Sequence, residues 1–220
     1  MINPRIEASI KAALHAFAEY NPVDAQLFSR FIHAFSLDED FLTKVEKMDE
    51  VFNDNPGLEE LREVFFDLLL VNFFSADVER LEEDYLESAE WEGIEEQTLD
   101  RGTELLNLLL YLNECRDENI DPTLEDYLKE FLLVDEDEFQ DEYRIYEPVI
   151  ANQILIESPV SEVKRVATQL PDSDIKELFY PMICFFQNSD ASEGARNEIA
   201  ENAVNKAFDM AVFSILETFI

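Results

Sequence analysis

Carboxylates are the side chains through which this sequence could do chemistry, and their spacing suggests more than one kind. Asp117-Glu118-Asn119-Ile120-Asp121, followed by Thr123 and Glu125, has the D-x-N-x-D opening of a calcium loop. Alternating oxygen ligands suit a hard divalent cation. The sixth position, however, is Pro122 where the loop's sharp turn needs glycine, and the twelfth is Leu128 where a bidentate acid belongs. The same residues read as a loop that ends one helix and caps the next. Asp172-Ser173-Asp174 is a shorter fragment of similar kind. His15 and Glu19 share a helix face, but two ligands do not close a zinc site, and His33 is the other histidine. Glycines at positions 57, 93, 102 and 194 form no phosphate-cradling loop.

Two acidic runs are denser. Glu79 to Glu96 holds nine acids against one base, Arg80, so i, i+4 salt bridges cannot relieve its repulsion. Asp135 to Glu142 holds six acids in eight residues around Phe139, with Tyr143 and Tyr146 following. A surface of this kind attracts a basic protein, charge steering the encounter and aromatics anchoring it. The expected partner-binding residues are Glu79, Glu82, Glu83, Asp84, Glu87 and Glu90 in the first run. In the second they are Asp135, Glu136, Asp137, Glu138, Asp141 and Glu142. The plainer alternative is a pair of solvated helix faces, with Phe139 and Tyr143 turned inward.

A third cluster points elsewhere. Glu59-Glu60-Leu61-Arg62-Glu63 resembles the E-E-x-x-E half of the all-α nucleotide pyrophosphohydrolases. That resemblance implies a magnesium site completed by an E-x-x-D on a neighbouring helix. The first such tetrad downstream is Glu114-Cys115-Arg116-Asp117, about fifty residues on and further than that family usually allows. If the intervening helices run up, down and up, Glu59 and Glu114 fall at opposite ends. The alternative is a solvated first turn whose acids complement the helix N-terminus.

These carboxylates need helices to position them. Hydrophobic content of 47% with 18 Phe excludes wholesale disorder, and four glycines in 220 residues argue against a turn-rich β fold. Residues 58–74 form the expected central helix: Glu60, Glu63 and Asp67 make a solvated stripe, beyond which the segment is apolar on nearly every side. Asn55-Pro56 reads as its N-cap and first residue. Asn3-Pro4 and Asn21-Pro22 give the same start signal for helices ending near Tyr20 and Phe35, and Asp38 starts a third. Ser75 caps a polar fifth helix that Gly93 ends, and a sixth starts near Thr98 and carries the apolar run 105–112. Further starts fall at Asp121-Pro122, at Asp135 with Glu138, at Ser158-Pro159 and at Pro171 to Asp174. Pro148 kinks or splits the eighth helix, and Pro181 interrupts a later apolar run. Asp190 with Glu193 caps one last helix running to the C-terminus.

The expected fold is therefore all-α: an irregular bundle of about ten helices in a single domain over residues 1–220, with a helical-hairpin array as the alternative. The net charge is −35, and residues 58–147, with 30 acids and 6 bases, carry −24 of it. That field repels nucleic acid and anionic membranes and attracts basic surfaces. Cys115 and Cys184 sit in apolar helical patterns, with no C-x-x-C and no Cys/His cluster, which suits a reducing cytoplasm. Arg5, Glu7 and Lys11 interrupt any signal-like apolar start, and no run is long enough to span a bilayer. Val212, Phe213, Ile215, Leu216, Phe219 and Ile220 read as a core stripe or a contact between two copies. The resulting functional expectation is a non-enzymatic cytoplasmic interaction protein of inhibitor, immunity or nucleic-acid-mimic type, with no cofactor. The alternative is the carboxylate-dependent pyrophosphohydrolase.

Overall fold

The computed structural model describes residues 2–76, 88–131 and 144–220. Among them there are twelve helices, ten of seven or more residues, packed as a bundle, and no strand. In chain order these are α1 (Pro4–Ala18), α2 (Leu27–Ser36), α3 (Phe41–Asp54), α4 (Arg62–Ala76), α5 (Ala89–Thr98) and α6 (Leu105–Glu118). They continue with α7 (Leu124–Asp126), α8 (Glu147–Ala151), α9 (Val160–Gln169), α10 (Lys176–Gln187), α11 (Glu193–Asn202) and α12 (Lys206–Phe219).

The most extensive pairing joins α1 and α12. They run antiparallel: Ser9 meets Thr218 by a 2.5 Å hydroxyl contact, and Lys206 lies over the ring of Tyr20. Ile6, Ile10, Leu14 and Phe17 recur at helical spacing and are all buried. On α12 every residue from Ala207 to Leu216 is buried, as is Phe219, against α1 and α10 of the same chain, while Ile220 is exposed. α4 packs on α1, α3 and α6 and is also apolar on nearly every side, with Phe65 in a ring cluster with Phe31 and Phe52 at centroid distances of 4.6–5.6 Å. One apolar core extends from Ile6 to Phe219.

Several helix limits differ from the sequence expectation, each for a local reason. Asn3 caps α1 as expected, its Oδ1 accepting from the Arg5 N–H at 2.9 Å. Asn21-Pro22 starts nothing, because Asp24 accepts from the Gln26 N–H and folds a turn before α2. Asn55 closes α3 rather than opening α4: its Nδ2 donates to the Val51 carbonyl, and Pro56 begins a 3-10 segment to Leu61. Ser75 lies in the last turn of α4, donating to Val71, and Ser88 caps α5 instead, so Gly93 sits inside that helix. Pro148 stands in the first turn of the short α8, where its missing N–H costs nothing. The expected last helix is two, broken at Ala203, whose φ of −54° and ψ of 144° leave the helical region.

Candidate functional site

The sequence-predicted partner residues are the first to place. Glu90 lies in α5 with its side chain outside the described residues, and the others, in 79–87 and 135–142, fall outside them entirely. The part of the acidic third that is described shows how its charge is arranged. In α5, Ile94 points into the core while Glu92, Glu95 and Glu96 are exposed. With Leu99 they recur at i, i+3, i+4 and i+7, which puts them on one helix face. Leu99 is 82% exposed, and Asp100 follows it. No described cation lies within ion-pair distance of Glu92, Glu95, Glu96 or Asp100, since Arg62, Arg101 and Lys129 are each paired elsewhere.

Those pairings explain where the Glu59–Glu63 cluster goes. Arg62 donates to both Glu59 oxygens at 2.8 Å, to Asp49 at 2.8 Å and to Asn53 at 2.9 Å. Its hydrogen bond to Arg62 holds the Glu59 carboxyl below its ordinary range. Arg101 chelates Glu63 at 2.9 and 3.0 Å and Asp49 at 3.0 and 3.2 Å, lying over the Phe66 ring at 4.8 Å. Glu60 accepts from Asn205 at 2.6 Å. Glu114 and Asp117 are exposed near the other end of α6, about 13 and about 18 Å further along its axis from Leu105. α4 and α6 run parallel: Glu63 and Asp67 hold residues 101–103 at one end, while Asn72 and Asn113 both meet the start of α1 at the other. The structure therefore does not bring Glu59, Glu60 and Glu63 together with Glu114 and Asp117. Among the described residues no three His, Cys, Asp or Glu side chains are grouped to hold a metal ion.

The other singled-out residues have local roles. Asn119 adopts the left-handed conformation at the end of α6, its N–H and that of Ile120 closing on the last carbonyls, and Thr123 caps α7. The calcium-like spacing is thus a helix stop followed by a helix start. His15 is exposed, 3.7 Å from Glu19. Cys115 and Cys184 are buried free thiols, and burial pushes Cys184 up to about 12.

No protein-family model matches this chain, and no curated protein or solved structure gives a match. Its chemistry has to be read from its own side chains.

Two buried carboxyls were missed by the sequence pattern. Asp67, expected on a solvated stripe, is fully buried. It accepts from the Thr103 N–H at 3.0 Å and the Thr103 hydroxyl at 2.5 Å, so the link before α6 covers it. Burial raises its pKa well above the ordinary carboxylate value, and Glu63 and Glu104 add to that. Asp209 is 3% exposed, and its Oδ2 accepts from the Val204 and Asn205 N–H groups at 2.7 and 2.9 Å. Burial, with Glu60 and Glu177 nearby, raises it to about 7. The available signal for Asp209 was an acid inside the apolar run 206–216, and for Asp67 the apolar residues on both of its sides.

Proposed function

We propose that this chain is an acidic interaction protein that docks a basic protein against its middle third. The observation that carries this reading is the α5 face, where Glu92, Glu95 and Glu96 lead to the exposed Leu99 and Asp100 follows it, without a described counter-cation. An exposed apolar residue on an acidic helix face suits a partner that brings cations beside an apolar contact. The adjoining run 79–90 and the run 135–142 extend the same charge by sequence. The fitting partner class is a nuclease or another nucleic-acid-binding protein, whose basic cleft this chain would fill as inhibitor, immunity protein or duplex mimic. A cytoplasmic setting suits the two buried free thiols.

The test is binding to a panel of basic nucleases and nucleic-acid-binding proteins, each immobilised in turn, at two salt concentrations. Raising NaCl from 50 to 300 mM should weaken a specific complex at least about tenfold, mostly through slower association. Glu92→Lys with Glu95→Lys and Glu96→Lys should weaken it by a comparable factor, as should reversal of Glu82, Glu83, Asp84 and Glu87. Affinity indifferent to salt, or surviving both reversals, rules the reading out. A control addresses the carboxylate-hydrolase alternative: chelator-treated protein is unfolded thermally with Mg, Mn or Ca against ionic-strength-matched NaCl. Equal rises in Tm indicate screening of self-repulsion, whereas a rise specific to one ion at low concentration indicates a formed site.

A further inference from the structure

A second site lies on the far side of Glu60 from the arginine clamp. Glu60, the end of α9, the first turns of α10 and the start of α12 enclose a cleft of about 290 Å³. That is the liquid volume of roughly ten waters, enough for a ligand of similar heavy-atom count. Its apolar lining comes from Ala167, Tyr180, Val204 and Phe208. Its charge comes from Glu60, Asp172, Glu177 and Asp209 against one cation, Lys176, which faces Asp172 at 3.5 Å.

Asp209 distinguishes this cleft from an ordinary acidic surface. The residue is only 3% exposed, yet it lines the cavity. Both backbone donors go to Oδ2, and no described residue donates to Oδ1. Asp209 thus takes up the two N–H groups just before α12, those of Val204 and Asn205, and places a carboxyl at the start of that helix. Glu60 is fixed at the rim by Asn205, and Tyr180 is turned away to the Ile199 carbonyl. An open carboxyl oxygen on Asp209, the further acids Glu60 and Glu177 without a lysine partner, and apolar walls complement one chemical group: an ammonium on an aliphatic stem.

We infer that this cleft binds a primary alkylammonium group, its charge paired with Glu60, an N–H of it donating to Asp209 Oδ1, and its methylenes against Phe208, Ala167 and Val204. The group belongs either to a free aliphatic amine or to a lysine side chain. The inference is independent of the α5 face, because of its lining only Glu60 belongs to the acidic third.

The test uses n-pentylammonium as probe and 1-pentanol as its uncharged isostere, followed through the Val204 and Asn205 amide resonances of the intact protein at fixed ionic strength. Pentylammonium should shift both amides saturably and pentanol should not. Glu60→Gln should weaken binding about tenfold, the scale of one charge-assisted hydrogen bond. Thr168→Trp, at an exposed position on the cleft wall, should abolish binding while leaving every carboxylate in place. Equal binding of alcohol and amine, or binding unchanged by Thr168→Trp, overturns the inference. Nα-acetyl-lysine methylamide then assigns the source: binding as tight as the amine upholds the site for a lysine side chain, and binding at least tenfold weaker upholds it for a free amine.

Discussion

Gly102→Ala should lower the stability of this protein by about 3 kcal/mol, the sum of a left-handed backbone without glycine and an unrelieved contact. Gly102 has φ +87°, in the region that L side chains rarely adopt. A Cβ there would stand 2.7 Å from Asp67 Oδ1 and 3.3 Å from the Phe66 ring. Neither neighbour can yield easily. Asp67 is held by two donors from Thr103, and Phe66 lies beneath Arg101, which grips both Glu63 and Asp49. The loss should appear as a fall in Tm of roughly 6–12 °C, at 2–4 °C per kcal/mol for a chain of this size. The two causes separate in a double-mutant cycle with Asp67→Ser. Shortening the acid removes the contact but not the backbone strain, so the Gly102→Ala penalty should shrink by about half in that background. A Tm within 2 °C of wild type would show that the link before α6 relaxes freely, and that the Asp49–Arg101–Glu63 clamp does not fix it.

The same link shows where sequence reading stops. Helix type and core face were legible wherever a periodic apolar face met a local start signal, as with Asn3-Pro4 before Ile6, Ile10, Leu14 and Phe17. The apolar runs of the segments that form α6 and α12 were legible too, though the starts of those helices were not. Asp67 was not, because its i, i+4 relation to Glu63 is that of a solvated stripe, and the group that buries it comes from Thr103, 36 residues away. No local pattern encodes a contact of that separation. The start of α6 shifted for the same cause: Arg101, Gly102 and Thr103 are engaged by α4 and so unavailable to a helix. The break before α12 contains neither proline nor glycine, and what holds it is the Asp209 carboxyl reaching back to Val204 and Asn205. Buried acids in this chain thus organise backbone that propensity alone would leave helical. The exposed acids, whose concentration was legible from composition, have no such structural engagement on the α5 face.

Asp209 should also give the protein a distinctive pH dependence of stability. Its pKa rises from the ordinary 3.8 to about 7 on folding, chiefly through burial, with Glu60 and Glu177 adding repulsion. The Tyr180 and Cys184 side chains facing it are neutral in this range, since burial raises both. The sign follows from proton counting. Between pH 4 and 7 the native state holds this proton and the unfolded state does not, so stability falls as pH rises. One proton gives about 1.4 kcal/mol per pH unit, and the full interval about 4 kcal/mol. Self-repulsion of a chain at −35 has the same sign, as does the raised Asp67, so the wild-type slope alone identifies nothing. Asp209→Asn isolates it. The amide oxygen can still accept from Val204 and Asn205, while the charge is gone at every pH. The two Tm curves should meet near pH 4–5 and diverge above it. By pH 8 the variant should be the more stable by about 2–4 kcal/mol, the lower figure allowing for weaker hydrogen bonds to a neutral acceptor. High salt should flatten the slope common to both proteins but leave their difference, because a buried carboxyl is poorly screened. Parallel curves would mean that Asp209 titrates as an ordinary surface acid, and that folding imposes no cost on its charge.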